Sequence, residues 1–538
     1  MLASSQWAKA QSPAATAPPS SEEKTPPSIV GDMYIREYRV RGSHLLNSAE
    51  IGEAVYPFLG PGRTTVDIDN ARAALERAYH DKGYKTVSVS LPPQSGWRGL
   101  VFLQVEEMKV GRLLVKGSRY YLPSDIKKRA PSLAPGTVPD FDQVEKDIIA
   151  LNKSENLQVT PVLTPGQEPG TVDFELTVKD KAPLHGSVEL NNRYSANTVP
   201  LRLSGSINYD NLWQLGHTLG FSFQIAPERM IDGEIYSAFY TLPLAQDINL
   251  TFQGVHQNSN VASLTGTDTI GRGDIIGTRV NWTLPQEKDF LHSLSLGLDY
   301  KHMFEHTETY TLVSGKKVLS SFTLTETAID YYPMSLAYSA SWVKKKSFTD
   351  LNAGINMHFR GTGSDNVRFD EKRYNADGSY IYFKGDLTHT SDLPGGMEIM
   401  AKVQGQLSNH PLVNSEQFAA GGQSTVRGYL ESEALADNGV VGTLELRSPS
   451  FIGTKKDDSR SRENEWRVYA FLEGGTLSLN DPLPEQTSHF ELASVGIGTH
   501  LKLHEHFNGS LDVSMPLIDQ GTTLGGDLFV SFRIWADF

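Results

Sequence analysis

The chain has 538 residues, too many for one compact core, a formal net charge of −14 and no cysteine. The acidic balance excludes a nucleic-acid binder, which carries a basic footprint, and the missing cysteines exclude disulfide staples and thiolate metal sites. No run reaches the roughly 18–20 apolar residues of a membrane helix; a membrane barrel stays open, because alternating lipid-facing and lumen-facing residues keep mean hydropathy, here −0.33, in the soluble range.

Residues 1–33 read as a signal remnant and flexible linker. Ala8-Lys9-Ala10 before Gln11 has the small-x-small form of a signal-peptide cleavage site, so Met1–Ala10 is expected to be a signal-peptide tail. Ser12–Ser28 is rich in Pro, Ala, Ser, Thr and Glu and cannot bury enough apolar surface to fold.

An internal repeat follows. Val40-Arg41-Gly42-Ser43 recurs about 75 residues later as Val115-Lys116-Gly117-Ser118. Each copy follows a short strand pattern, Tyr34–Val40 or Val110–Val115. Each precedes a helical stretch opening near Ser48 or Ser124, residues suited to an N-cap. A second helix is expected over Asp69–Lys82, with Ala71, Leu75, Ala78 and Tyr79 at helical spacing, and over Phe141–Asn152, with Val144, Ile148 and Leu151. Two strands around a Pro/Gly turn close each unit: Thr86–Leu91 with Leu100–Val105, and Leu157–Leu163 with Val172–Val178. The order is β-α-α-β-β twice, over 34–108 and 109–182.

From 183 to 538 helical periodicity gives way to alternation. Leu294, Leu296, Leu298 and Tyr300 alternate with Ser295, Gly297, Asp299 and Lys301; Leu351, Ala353, Ile355, Met357 and Phe359 alternate with polar neighbours. The runs last about ten residues, against about five or six in soluble sheets. Connections alternate between short (Gln214-Leu215-Gly216-His217, Gly395-Gly396) and long (Thr307–Ser321, Val413–Asn438). The expected fold class is two α+β domains followed by an antiparallel transmembrane β-barrel of about 16 strands, an even number as in single-chain bacterial barrels.

Within this region Val426-Arg427-Gly428-Tyr429 follows the Gly-rich segment Ala420–Thr425. Phe471-Leu472-Glu473-Gly474-Gly475 comes later, in a strand. Period two puts Arg467, Tyr469, Phe471 and Glu473 on one face and apolar Val468, Ala470 and Leu472 on the other. The apolar face belongs to lipid, so Glu473 is expected in the lumen, where an arginine can pin a loop against it. Glu445 and Arg447 share a lumenal face and by default line a solvated wall. In the last strand Leu528, Val530, Phe532, Ile534, Ala536 and Phe538 form one face, while Phe529 and Trp535 break the polar pattern of the other.

These features, in this order, resemble the outer-membrane superfamily of POTRA-plus-barrel protein translocators. Within it the chain is most similar to the two-partner secretion transporters of the haemolysin and filamentous-haemagglutinin type, from Tyr34 onward. The resemblance implies POTRA 1 at 34–108, POTRA 2 at 109–182 and the barrel at 183–538. It implies that Val426, Arg427, Gly428 and Tyr429 tip a sixth surface loop that folds back into the barrel. There Arg427 meets the acid of an aromatic-x-acid-x-Gly strand, here Phe471, Glu473 and Gly475, with Glu where Asp is common. Phe538, with Phe532, corresponds to the aromatic signal read by the barrel assembly machinery. The implied protein lies in the outer membrane among its lipids, with its POTRA domains in the periplasm. It is not an enzyme. It takes an unfolded, β-helical exoprotein by that partner's N-terminal secretion domain and secretes it through the barrel. The alternatives are an insertase or assembly factor of the same superfamily, and a porin or adhesin outside it. Many family members place an N-terminal helix in the pore; Ser12–Ser28 is too Pro-rich for a long one.

The sequence holds no G-x-S-x-G elbow, no H-E-x-x-H and no phosphate-binding G-x-x-x-x-G-K-[ST] loop. His504-Glu505-His506 falls in an expected turn without an evident third ligand, so neither a metal nor a cofactor is expected.

Overall fold

The computed structural model describes residues 33–538 apart from 95–97, 153, 155, 259–261, 265–266, 270–271, 305–307, 314–315, 323–327 and 454–462. The expected signal tail Met1–Ala10 and linker Ser12–Ser28 lie outside the described residues, as does Thr307 at the start of one expected long loop. The chain divides into two compact units. One holds the described residues to Ser118 together with Ile126–Lys179; the other holds Arg119–Asp125 and Asp180–Phe538.

The first repeat runs strand Glu37–Arg41, helix Ser48–Val55, helix Thr65–His80, strand Ser88–Ser90 and strand Leu100–Glu106. Leu100–Glu106 lies in the centre, parallel to Glu37–Arg41 and antiparallel to Ser88–Ser90. Ile68, Ala71, Leu75 and Tyr79 recur on one side of the longer helix and are buried in one cluster with Val101, Leu103 and Val105. This helix starts at Thr65 rather than Asp69. Thr64 and Asp67 form a capping box, with Asp67 Oδ2 accepting from the Thr64 N–H at 2.8 Å. The apolar period begins only after that polar turn. Likewise the cap of the first helix is Asn47, not Ser48: its side chain accepts from the Glu50 N–H at 2.9 Å.

The second repeat places Lys109–Lys116, Pro123–Lys128, Phe141–Leu151, Leu157–Pro165 and Thr171–Asp180 in the same order, again with the last strand central. Ser124 is not an N-cap; the helix opens at Pro123, where a missing N–H costs nothing. Asp140 caps Phe141–Leu151 by accepting from Asp142 N–H at 2.9 Å. The recurring glycine now has a cause. Gly42 and Gly117 take φ of +77° and +88°, and a Cβ on either would stand 2.4 Å from the carbonyl oxygen of Val105 or Val178 on the central strand. The chain can leave the first strand this way only with glycine.

The second unit is a closed antiparallel barrel of 16 strands, from Leu184–Asn191 to Phe529–Asp537. One strand is interrupted: Ile329–Tyr331 and Met334–Val343 both pair with Phe290–Phe304 across Tyr332-Pro333. Pro333 has no N–H to give, and its carbonyl still accepts from Asp299 N–H at 3.1 Å. The barrel closes where Arg533 to Asp537 pair with Asn191 to Ser187, and Phe538 and Gly186 exchange two backbone bonds of 2.9 Å. Val468 and Leu472 are exposed, as are Val440, Leu444 and Leu446 on the neighbouring strand, which gives the outer face an apolar surface suited to lipid. No helix among the described residues is long and apolar enough to cross a membrane.

Connections at the end bearing Leu184 and Phe538 include the tight turns after Leu212 and Asp392, while the loops at the other end are longer than these two turns. The sixth of these, 409–437, contains a short ladder, Phe418–Ala420 with Ala434–Ala436. Its Val426 and Tyr429 are buried in one cluster with Val441, Leu477 and Leu492 of the barrel wall.

Candidate functional site

The site begins with Gly428. Its φ is +98°, and a Cβ there would meet Ser514 Cβ at 3.2 Å and Pro516 Cδ at 3.3 Å. Only glycine makes this turn so close to the wall strand Phe507–Pro516. The turn aims its neighbours in different directions. The Tyr429 ring is buried, and its hydroxyl lies 3.0 and 2.8 Å from the Ala493 and Ile518 carbonyl oxygens. Arg427 points into a cluster of acids.

Glu473 takes three bonds from Arg427: backbone N–H to Oε2 at 2.6 Å, Nε to Oε1 at 2.9 Å and Nη2 to Oε1 at 2.6 Å. The sequence pairing names Glu473 alone, but two more carboxylates face the same guanidinium. Glu445 Oε2 accepts from Nη2 at 2.9 Å, and Asp512 Oδ1 lies 3.4 Å from Nη1. Glu445 is therefore not solvated wall; it is 4% exposed, because the loop fills the lumen at its depth. Its other oxygen takes Arg447 Nε at 2.7 Å, and Arg447 Nη1 reaches Glu398 at 2.7 Å. Charges thus alternate along the wall from Asp512 to Glu398, so each buried carboxylate has a cation beside it.

Aromatic rings form the floor. The guanidinium carbon sits 3.5 Å from the Phe471 ring centroid and 5.8 Å from that of Tyr469, and the Tyr469 hydroxyl donates to Asp512 Oδ1 at 2.8 Å. The rings lie flat because the next strand has no side chains beneath them. Phe471 faces Gly496 and Tyr469 faces Gly498 in register, and a Cβ on either glycine would come within 2.4 Å of the ring. Gly475 serves differently: a Cβ there would stand 2.6 Å from Val440 O, so it lets adjacent strands approach.

Further loop residues tie the tip to the wall. Glu431 accepts from Arg193 Nε at 2.9 Å, and Glu433 accepts from Thr522 N–H at 2.6 Å. In the last strand Phe532 and Phe538 lie on the outer face, with the Phe538 ring over Gly186. Trp535, which breaks the polar pattern of the inward face, stacks on His500 at 5.8 Å and carries Arg533 at 4.1 Å. Phe529 meets Tyr194 at 6.2 Å. His504 lies in the turn before the penultimate strand at φ +52°, and His506 Nδ1 lies 2.8 Å from Asp537 O; no group of His, Cys, Asp and Glu among the described residues is arranged to hold a metal ion.

Known proteins share this architecture. Residues 170–501 match the family described as haemolysin secretion/activation protein ShlB/FhaC/HecB, and residues 33–107 match the ShlB-type POTRA domain. The outer membrane transporter CdiB of Dickeya dadantii is 22% identical over 77% of this chain and 72% of its own length. The heme/hemopexin transporter protein HuxB of Haemophilus influenzae is 19% identical over 74% of this chain and 69% of its own. The solved structure of CdiB from Escherichia coli superposes with a TM-score of 0.62 at 19% identity, covering 97% of this chain and 93% of that one. BamA from Haemophilus ducreyi, lacking POTRA domains 1–3, shares the fold with a TM-score of 0.53 at 13% identity, over 94% of this chain and 100% of that one. With two POTRA domains, a 16-stranded outer-membrane barrel and a family match over more than half its length, the chain belongs to the ShlB/FhaC/HecB family of two-partner secretion transporters.

Proposed function

We propose that the chain receives an unfolded β-helical exoprotein in the periplasm, through that partner's N-terminal secretion domain and its own POTRA domains, and passes it outward through the barrel lumen. The sixth loop is the movable part, and Arg427 against Glu473, Glu445 and Asp512 holds its tip in place. The observation that carries this reading is the nature of that seat. It is made of side chains buried in the lumen, separate from the strand ladder, so the tip can leave without opening the barrel.

The rival route, sideways through the seam as in an insertase, draws on the shortness of the first-to-last strand pairing. The two are separable because the chain has no cysteine of its own. Val188 and Ala536 are register partners across the seam. Opposed antiparallel residues stand about 4.5–5.5 Å apart at Cα, within the range a disulfide bridges. Oxidised Val188→Cys, Ala536→Cys protein is expected to secrete exoprotein at the rate of its reduced form. Secretion that stops on oxidation and returns with reductant would place the exit at the seam instead.

Phe538 and Phe532 belong, in this reading, to biogenesis. The Phe538 ring covers Gly186 at the barrel seam, so its deletion should lower outer-membrane levels while the periplasmic domains still fold. The loss is partial because Phe532, Trp535 and Phe529 remain. Heat-modifiable barrel in outer-membrane fractions, at matched synthesis rates, reads it. Wild-type levels for both the deletion and a Phe532→Ser, Phe538→Ser variant would remove the strand as an assembly signal.

A further inference from the structure

The two stems of the sixth loop are held by groups other than those that seat its tip. On the entering stem Glu416 is buried, and its carboxylate accepts from Lys301 Nζ at 2.6 Å, the Tyr331 hydroxyl at 2.7 Å and the Tyr382 hydroxyl at 2.8 Å. These donors stand on three barrel strands: Phe290–Phe304, the interrupted strand, and Tyr380–Asp392. On the leaving stem Asp437 is fully buried and takes a two-pronged pair from Arg373, with Nη2 to Oδ2 at 2.8 Å and Nη1 to Oδ1. Asp437 also accepts from the N–H groups of Leu412 at 2.8 Å and Asn480 at 2.7 Å. Arg373 follows the helix Asn366–Lys372 of the fifth loop, and it donates to the carbonyls of Leu412 at 2.8 Å and Asn480 at 2.9 Å. Gln406, on the strand before the loop, joins the stems: its amide donates to the carbonyls of Glu416 at 2.9 Å and Asp437 at 3.3 Å.

We propose that Glu416 and Asp437 are positioning residues that hold the sixth loop by its stems, so that losing the Arg427 contact frees the tip while the stems stay in the barrel. The proposal rests on the reading of the loop as the movable part of the transporter. Its physical ground is that each stem carboxylate is buried with a cation and further donors of its own. Breaking the tip cluster leaves those partners intact, and groups without shared partners act independently. Removing a stem acid, by contrast, leaves Lys301 or Arg373 without its counter-charge in a buried place, which favours release of the stem.

The test uses full-length protein in outer membranes and a membrane-impermeant maleimide. With no native cysteine, one reporter is placed in the stem, Ala419→Cys, and another near the tip, Ser424→Cys. Arg427→Ala should raise labelling of the tip reporter and leave the stem reporter near its reference rate. Glu416→Gln with Asp437→Asn should raise stem labelling at least about tenfold, which corresponds to ~1.4 kcal/mol of easier opening. Heat-modifiable mobility verifies the barrel in each case. Should the double variant fail to assemble, Lys301→Gln with Arg373→Gln removes the cation of each pair instead and is read identically. Stem labelling that rises as much in Arg427→Ala as in the stem variant would overturn the proposal, and so would a stem variant labelled at the reference rate. Secretion by the same strains addresses the transport reading separately: an Arg427→Ala protein that secretes normally would remove the tip's role and leave the labelling result standing.

Discussion

Arg427→Ala is expected to leave a folded barrel that secretes its exoprotein poorly and conducts ions differently from the parent. The substitution removes the cation shared by Glu473, Glu445 and Asp512, all of them nearly fully buried. Breaking a buried pair by deleting one partner costs about 3–5 kcal/mol. Here that cost falls on the seat of the loop. The ladder between Asn438–Arg447 and Glu465–Ser478 uses backbone groups and is untouched. Arg427→Lys should restore only part of the function: an ammonium is a point charge, whereas the guanidinium serves three acids and sits over the Phe471 ring. Reversing both charges, Arg427→Glu with Glu473→Arg, should rescue in part, because Glu445 and Asp512 would then repel the new acid. Secretion and planar-bilayer conductance measure the outcome, and normal secretion by Arg427→Ala would sink the role given to this contact.

Why the sequence discloses Glu473 as a partner of Arg427 and not the other two acids is a matter of register. Alternation along one strand fixes which face a residue occupies, so Glu473 is placed in the lumen from Val468, Ala470 and Leu472 alone. Which lumenal residues of different strands stand at the same height depends on turn lengths and shear. Asp512 reaches the cluster because it pairs with Gly498, which pairs with Tyr469. Nothing in the residue order of Phe507–Pro516 singles it out. Glu445 shows the other limit: a charge on a lumenal face is solvated in an open barrel and buried where a loop fills it. Gly496 and Gly498 are visible as small residues on one face, but their purpose appears only once Phe471 and Tyr469 are known to lie over them. The same holds for Trp535, an aromatic on the polar face that is explained by His500 and Arg533.

In the POTRA repeats the legible and the hidden divide differently. Helical spacing identifies the buried face of Thr65–His80 correctly, because Ala71, Leu75 and Tyr79 are also the residues that pack. It misplaces the start, because capping residues are polar and carry no period. The helix Asn366–Lys372 in the fifth loop has no expectation at all. It is short, Asp365 caps it, and among its residues only Phe369 is buried, too little to create a visible period. Arg373, at its end, consequently gives no sign in the sequence of its pairing with Asp437.

Deleting Gly111–Asp180 should abolish binding of the exoprotein's secretion domain while the barrel still inserts. The segment removes the second POTRA sheet almost whole, and the barrel ladder begins afterwards, at Leu184. The sheet offers a particular kind of surface. Thr171–Asp180 is central, so Lys109–Lys116 and Leu157–Pro165 are its edges. Residues 160–165 of the latter edge are exposed, but Pro161 and Pro165 lack N–H groups and interrupt any added strand there. Lys109–Lys116 holds no proline, and past Arg112, whose N–H is taken by Asp173, it is the edge an extended cargo segment would join. Loss of that sheet should raise the Kd of a purified secretion domain by more than about 100-fold, or ~2.7 kcal/mol. The barrel should keep its heat-modifiable mobility, since both strands that close it, Leu184–Asn191 and Phe529–Asp537, are intact. Full-strength binding by the deleted protein would move recognition away from the second POTRA domain. Failure of the barrel to insert would instead mean that this domain is needed for assembly.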